Sequence, residues 1–119
     1  MTTVLIVDDH ATFRASAKAL LSAEGYDVIG EAEDGENALG EIERLRPDVV
    51  LLDVLLPDTT GFELAEELCN GPEGPVVVLT SSRSAADFGG SVERSRAHGF
   101  IAKRDLSALA LARVLEGAA

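Results

Sequence analysis

The sequence predicts a doubly wound α/β fold, a five-stranded parallel sheet covered by helices on both faces. Short aliphatic runs bounded by turn residues, Val4–Val7, Val49–Leu52 and Val76–Leu79, read as strands buried on both sides. Between them lie stretches with apolar residues at helical spacing, and this alternation calls for a parallel sheet with right-handed crossovers. With 119 residues, 46% of them hydrophobic, the chain has the length and material for one domain on this plan.

In chain order, Val4–Val7 is the first strand, and a helix follows with Phe13, Ala17, Leu20 and Leu21 on one face, closing near Gly25. Tyr26–Glu31 is a weaker strand. Gly35–Leu45 is helical, with Ala38, Ile42 and Leu45 in phase and Pro47 just past its end. Val49–Leu52 ends in Asp53, and Val54 to Gly61 reads as a loop. Phe62–Cys69 supplies the third helix, ended by the turn-rich Asn70–Pro75 linker. Val76–Thr80 and Phe100–Lys103 are the last strands, and Ser107–Glu116 is the closing helix. The segment between Thr80 and Phe100 fits poorly: Gly89-Gly90 falls near its middle, and each glycine costs about 1 kcal/mol in a helix relative to alanine. A short or broken element is expected there.

Strand ends carry the chemistry. Asp8-Asp9 follows the first strand, Asp53 ends the third and Thr80 ends the fourth, all at the carboxyl edge where open α/β sheets bind ligands. If these strands are neighbours, three carboxylates and a hydroxyl share one rim. Crowded like charges need a cation, and oxygen-only donors point to magnesium or calcium.

Composition narrows the partners. A formal charge of −11 argues against direct binding of nucleic acid or anionic lipid by these residues. The chain carries no membrane-spanning run and no signal-peptide pattern after Met1, so a soluble, cytoplasmic protein is expected. The single cysteine, Cys69, lies among Leu64, Ala65 and Leu68 and reads as a helix-packing residue.

Asp8-Asp9, Asp53, Leu56-Pro57 with Gly61, Thr80 and Lys103, in this order at successive strand ends, resemble the receiver domain of bacterial two-component response regulators across essentially the whole chain, residues 1–119. Val7-Asp8-Asp9-His10 with Phe13-Arg14, and Lys103 without a following proline, look most like receivers that carry a C-terminal helix-turn-helix DNA-binding domain. The resemblance implies a flavodoxin-like (βα)5 fold and a phosphoryl-accepting switch. Asp53 is then the nucleophile toward a phosphohistidine of a sensor histidine kinase. Mg2+ is implied as cofactor, held by Asp9, Asp53 and the Leu55 carbonyl, with Asp8 acting through water. Lys103 pairs with Asp53 and then with the phosphoryl oxygens, Thr80 bonds the phosphoryl group, and Phe100 is the aromatic switch that turns inward as Thr80 moves. A homodimer is allowed as a further partner state, and DNA contact falls to an appended domain outside this chain, which is read as part of a longer regulator.

Other readings have specific costs. A phosphohydrolase using an aspartyl-phosphate normally needs a second acid two residues after the nucleophile, where this chain has Leu55. A flavodoxin-like cofactor carrier lacks its phosphate-cradling loop here, and a non-phosphorylated pseudo-receiver sits poorly with intact Asp9, Asp53 and Lys103. His10 is read as opening the first helix at the rim of the site rather than as a chemical group, and His98 as inert. Arg104 after Lys103 argues against a cis bond there, since a non-proline cis peptide costs about 3 kcal/mol.

Overall fold

The structure, a computed structural model, describes residues 1–71 and 73–118. Strands β1 (Thr3–Val7), β2 (Asp27–Ala32), β3 (Val49–Asp53), β4 (Val76–Ser81) and β5 (Gly99–Ala102) alternate with helices α1 (Ala11–Ala23), α2 (Gly35–Leu45), α3 (Gly61–Leu68), α4 (Ser91–Arg94) and α5 (Ala108–Ala118). All pairings are parallel, in the order β2-β1-β3-β4-β5. The expected doubly wound sheet is therefore present. Strand order reverses between β1 and β3, which opens a crevice at their carboxyl ends.

Side chains of a strand alternate between faces, so each aliphatic run feeds two cores. Leu5, Val7, Val50, Leu52, Val77 and Leu79 meet Ala38 of α2 and Leu64 and Ala65 of α3. Val4, Ile6, Val49, Leu51 and Val78 meet Ala17 and Leu21 of α1 and Leu111 of α5. Every residue of β3 is buried, so its end is held by structure on both sides.

Several boundaries differ from the sequence reading. On α1 the buried residues are Ala17 and Leu21, spaced one turn apart, whereas Leu20 lies a step round the helix and is 37% exposed. Strand β2 runs one residue later than expected. Strand β5 stops at Ala102, and Lys103 instead opens a 3-10 turn, Lys103–Asp105. Helix α2 is capped by the Asp34 side chain, which accepts from the Asn37 N–H, and it ends at Arg46 in the left-handed region (φ 48°) just before Pro47. Of the expected Asn70–Pro75 linker, Pro72 lies outside the described residues.

The fourth crossover is broken, as the glycine pair predicts. A 3-10 turn, Ala85–Phe88, is capped by reciprocal bonds between Ser84 and Asp87 and ends at Gly89, whose φ of 61° suits glycine. Helix α4 that follows has only 4 residues.

Candidate functional site

Asp8 and Asp9 leave the end of β1, and the fold buries the first while leaving the second partly open. Asp8 is fully buried; its N–H donates to the Ala32 carbonyl at 3.0 Å, which ties the turn to the end of β2. Its carbonyl accepts from Arg14, which also pairs with Glu31 at 2.9 Å. Asp53, 4% exposed, closes the central strand, and its Oδ1 lies 3.4 Å from the Leu55 N–H that donates to it.

Gly61 makes that placement possible. A Cβ there would lie 2.6 Å from the Asp53 carbonyl oxygen and 3.0 Å from Val54 Cα, so only glycine lets α3 start against the end of β3. The intervening loop is pinned at its far side by Asp58, whose carboxylate accepts from the Gly35 and Glu36 N–H groups at 2.8 and 3.1 Å. Those bonds, the Gly35 one foremost, hold the Asp58 carboxyl below the usual carboxylate range.

Lys103 reaches across from the end of β5. Its Nζ is 2.6 Å from Asp8 Oδ2, as an ion pair out of hydrogen-bond alignment, and 3.4 Å from Asp53 Oδ2. The ammonium also lies 4.6 Å from the centre of the Phe13 ring. Asp8, rather than the expected Asp53, is thus its nearer carboxylate. Burial first, and then the neighbouring Asp8 charge, push the Asp53 carboxyl up to about 6, against the opposing pull of Lys103 and the Leu55 N–H. Repulsion of this kind is what a bound cation relieves.

Thr80 stands beside Asp53 in the β3–β4 register. Its hydroxyl is fully buried and has no hydrogen-bond partner. An unpartnered buried hydroxyl is costly unless something bonds it. A cleft of about 290 Å³ over these groups is lined by Asp9, Asp53, Leu55, Ser81 and Lys103 among others, with the Leu55 side chain 49% exposed at its border.

The fold thus gathers Asp8, Asp9, Asp53 and Lys103, with Thr80 adjacent and Leu55 flanking. Phe100 lies apart from them. It is half-buried on β5 and packs edge-on against Phe88, with ring centroids 6.4 Å apart. Phe88 in turn packs against Phe62 of α3 at 5.7 Å. That aromatic row escaped the sequence reading because its members are far apart in the chain; helical spacing cannot reveal a contact across a broken crossover.

His10 precedes α1 as its N-cap residue, as expected at the rim of the site, and its Nδ1 also lies 3.0 Å from Asp8 Oδ1 and 3.1 Å from Asp9 Oδ1. Asp8, Asp9, His10 and Asp53 can each offer one donor atom with all four within 4.8 Å of one another, a cluster able to hold a divalent metal. Its place directly after the acidic pair was the available signal. His98 lies elsewhere and serves the sheet: its Nδ1 accepts from the Val77 N–H at 3.0 Å. Cys69 caps α3 and is half-buried, and burial raises its thiol pKa.

Residues 4–113 match the response regulator receiver domain family. The transcriptional regulatory protein PdtaR of Mycobacterium tuberculosis is 39% identical over 99 residues, 83% of this chain and 46% of that protein. The DNA-binding transcriptional activator EvgA of Escherichia coli is 27% identical over 101 residues, 85% of this chain and 50% of that protein. The chain therefore spans about half the length of these curated relatives. Among solved structures, the BeF3-activated N-terminal receiver domain of Klebsiella pneumoniae RstA superposes with a TM-score of 0.80 at 32% identity, covering 98% of this chain and 97% of that one. With an acid cluster at the switch point of a doubly wound sheet and a family match over nearly its whole length, the chain belongs to the response regulator receiver domains.

Proposed function

We propose that residues 1–119 act as one receiver unit in which Asp53 takes a phosphoryl group from a phosphohistidine of a sensor histidine kinase. An Asp53 oxygen attacks phosphorus, the P–N bond breaks, and the imidazole of the kinase leaves with the bonding pair, giving an acyl phosphate on Asp53. A carboxylate is a weak nucleophile, so position and charge must supply the rate. The observation that carries this reading is Asp53 itself, buried at the end of the central strand beside Asp8, Lys103 and an unpartnered Thr80 hydroxyl.

The crowded carboxylates fit Mg2+, with Asp9, Asp53 and the Leu55 carbonyl as ligands and Asp8 acting through water. The ion supplies charge neutralisation for the phosphoryl oxygens when bound. Lys103 leaves its carboxylate partners to meet the new phosphoryl charge, and the Thr80 hydroxyl finds in a phosphoryl oxygen the partner it lacks. Movement of Thr80 frees space toward β5, into which Phe100 turns. The Phe88 contact carries that turn to the segment before α4.

The wider reading is a cytoplasmic regulator that controls transcription through a helix-turn-helix DNA-binding domain outside these residues, with a homodimer as a further state. Relatives described as transcriptional regulators, about twice as long as this chain, support it. No helix among the described residues is long and apolar enough to cross a membrane.

Acetyl phosphate with magnesium, followed by intact mass, tests the central step. A gain of one phosphoryl group in the wild type, absent in Asp53→Asn and kept in His10→Ala, is expected. Phosphorylation of Asp53→Asn would move the acceptor elsewhere.

A further inference from the structure

We propose that His10 is a ligand of the metal site and turns its preference from magnesium toward divalent transition ions that accept imidazole nitrogen. The inference rests on the divalent-metal site of the proposed function and goes beyond its oxygen donors. His10 Nδ1 is 3.0 Å from Asp8 Oδ1 and 3.1 Å from Asp9 Oδ1. Donors on neighbouring corners of an octahedron with metal bonds of about 2.1 Å lie roughly 3.0 Å apart, so the 3.1 Å spacing to Asp9 Oδ1 suits shared coordination as well as hydrogen bonding. With Asp53 included, the four donor atoms stay within 4.8 Å of one another.

A second observation points to a ligand at the same place. The Thr80 hydroxyl beside Asp53 is fully buried and has no hydrogen-bond partner, while Asp8 Oδ2 is held by Lys103 at 2.6 Å and leaves Oδ1 facing His10. The His10 backbone is anchored, since its N–H donates to Asp8 Oδ1 at 2.8 Å, while the ring is 67% exposed. An anchored residue with an open ring can take the tautomer that carries its proton on Nε2 and offers the Nδ1 lone pair inward.

Chemistry then sets the preference. Magnesium takes oxygen donors and sheds its waters reluctantly, so it gains little from an imidazole. Imidazole suits manganese less than nickel, copper or zinc, and a mixed nitrogen and oxygen set favours the later ions. His10 is therefore a specificity-determining ligand, and the acids alone would leave a magnesium site.

Calorimetric titration of the whole chain with magnesium chloride and with nickel chloride, at about pH 8 where an ordinary imidazole is neutral, tests this in the wild type, His10→Gln and Asp53→Asn. His10→Gln is expected to weaken nickel binding by at least about tenfold and to change magnesium binding by less than about twofold. One equivalent of zinc should shift the His10 Nδ1 resonance in a nitrogen-15 spectrum of the wild type. Unchanged nickel affinity in His10→Gln, or equal losses for both ions, would overturn the role of His10 while leaving the metal site in place. If Asp53→Asn binds both ions as the wild type does, the metal lies elsewhere and both readings fall.

Discussion

In the proposed function, Asp53 should govern how the phosphoryl group arrives and Leu55 how long it stays. Asp53 carries a charge that burial and Asp8 both oppose, with its carboxyl pushed up to about 6. Replacing it with asparagine removes that opposition and leaves Asp8 its closer partner, Lys103 at 2.6 Å. At neutral pH without divalent metal, Asp53→Asn is expected to raise stability by on the order of 2 kcal/mol, read from urea denaturation. A destabilised variant would mean that Asp53 is a structural acid. Leu55 borders the cleft with half its surface open, and an aliphatic side chain neither orients nor activates water. Dephosphorylation should accordingly be slow. Leu55→Asn and Leu55→Glu should change the phosphoryl lifetime while moving stability by no more than about 0.5 kcal/mol, as exposed substitutions usually do. Equal lifetimes in all three proteins would separate Leu55 from control of water.

Among the elements, the broken fourth crossover is the soft one. Helix α4 has only 4 residues, too few to stand without packing, and none of them is buried. Hydrogen exchange between Ser84 and His98 should therefore slow when a phosphoryl mimic and magnesium order the segment. Strong protection of these amides before treatment would show a rigid face that merely turns Phe100. The two glycines are not equivalent in this respect. Gly89 sits at φ 61°, so alanine there is strained and should cost about 1 kcal/mol. At Gly90, the N-cap of α4 with φ −93°, the added Cβ meets only the flexible guanidinium end of Arg94, and Gly90→Ala should reduce the freedom of the opened segment and so protect it without phosphorylation. Gly61 is the opposite case. Its substitution by alanine forces α3 away from the backbone of Asp53 and Val54 and should cost on the order of 1–3 kcal/mol while lowering the phosphorylation rate.

For the whole molecule, the acids make stability depend on pH in two directions. The Asp53 carboxyl is raised in the folded state, so its contribution is fully present below the unfolded value, 3.8, and is lost as pH rises through about 6. Asp48 and Asp58 are lowered, by bonds from Thr3 and from Gly35 respectively, so their contributions are present above the unfolded value and are lost as pH falls below it. Bound at the proposed site, magnesium should reverse only the first of these losses. Its stabilising effect, followed as a rise in Tm, should be clear at neutral pH and fade below about pH 6, where Asp53 takes a proton. A magnesium effect of equal size well below pH 6 would place the ion away from Asp53. The charge of −11 acts at the same scale, and these residues alone should show no salt-dependent affinity for duplex DNA in a fluorescence titration.

The doubly wound sheet and most of the site were legible in the chain because both rest on local pattern. Aliphatic runs ending in Asp8-Asp9, Asp53 and Thr80 name the strands and, through parallel alternation, put their ends on one edge. Even the break at Gly89-Gly90 follows from the intrinsic cost of glycine in a helix. Tertiary structure decided what depends on distance between separate elements. It set Lys103 nearer Asp8 than Asp53, since the end of β5 reaches over β4 and β3 toward β1. It also turned His10 onto both neighbouring carboxylates and threaded Phe88 between Phe62 and Phe100. Periodicity tells which face of an element is buried, but a contact between side chains on different elements depends on register, twist and the path of the connecting loop, and these are settled only when the elements pack.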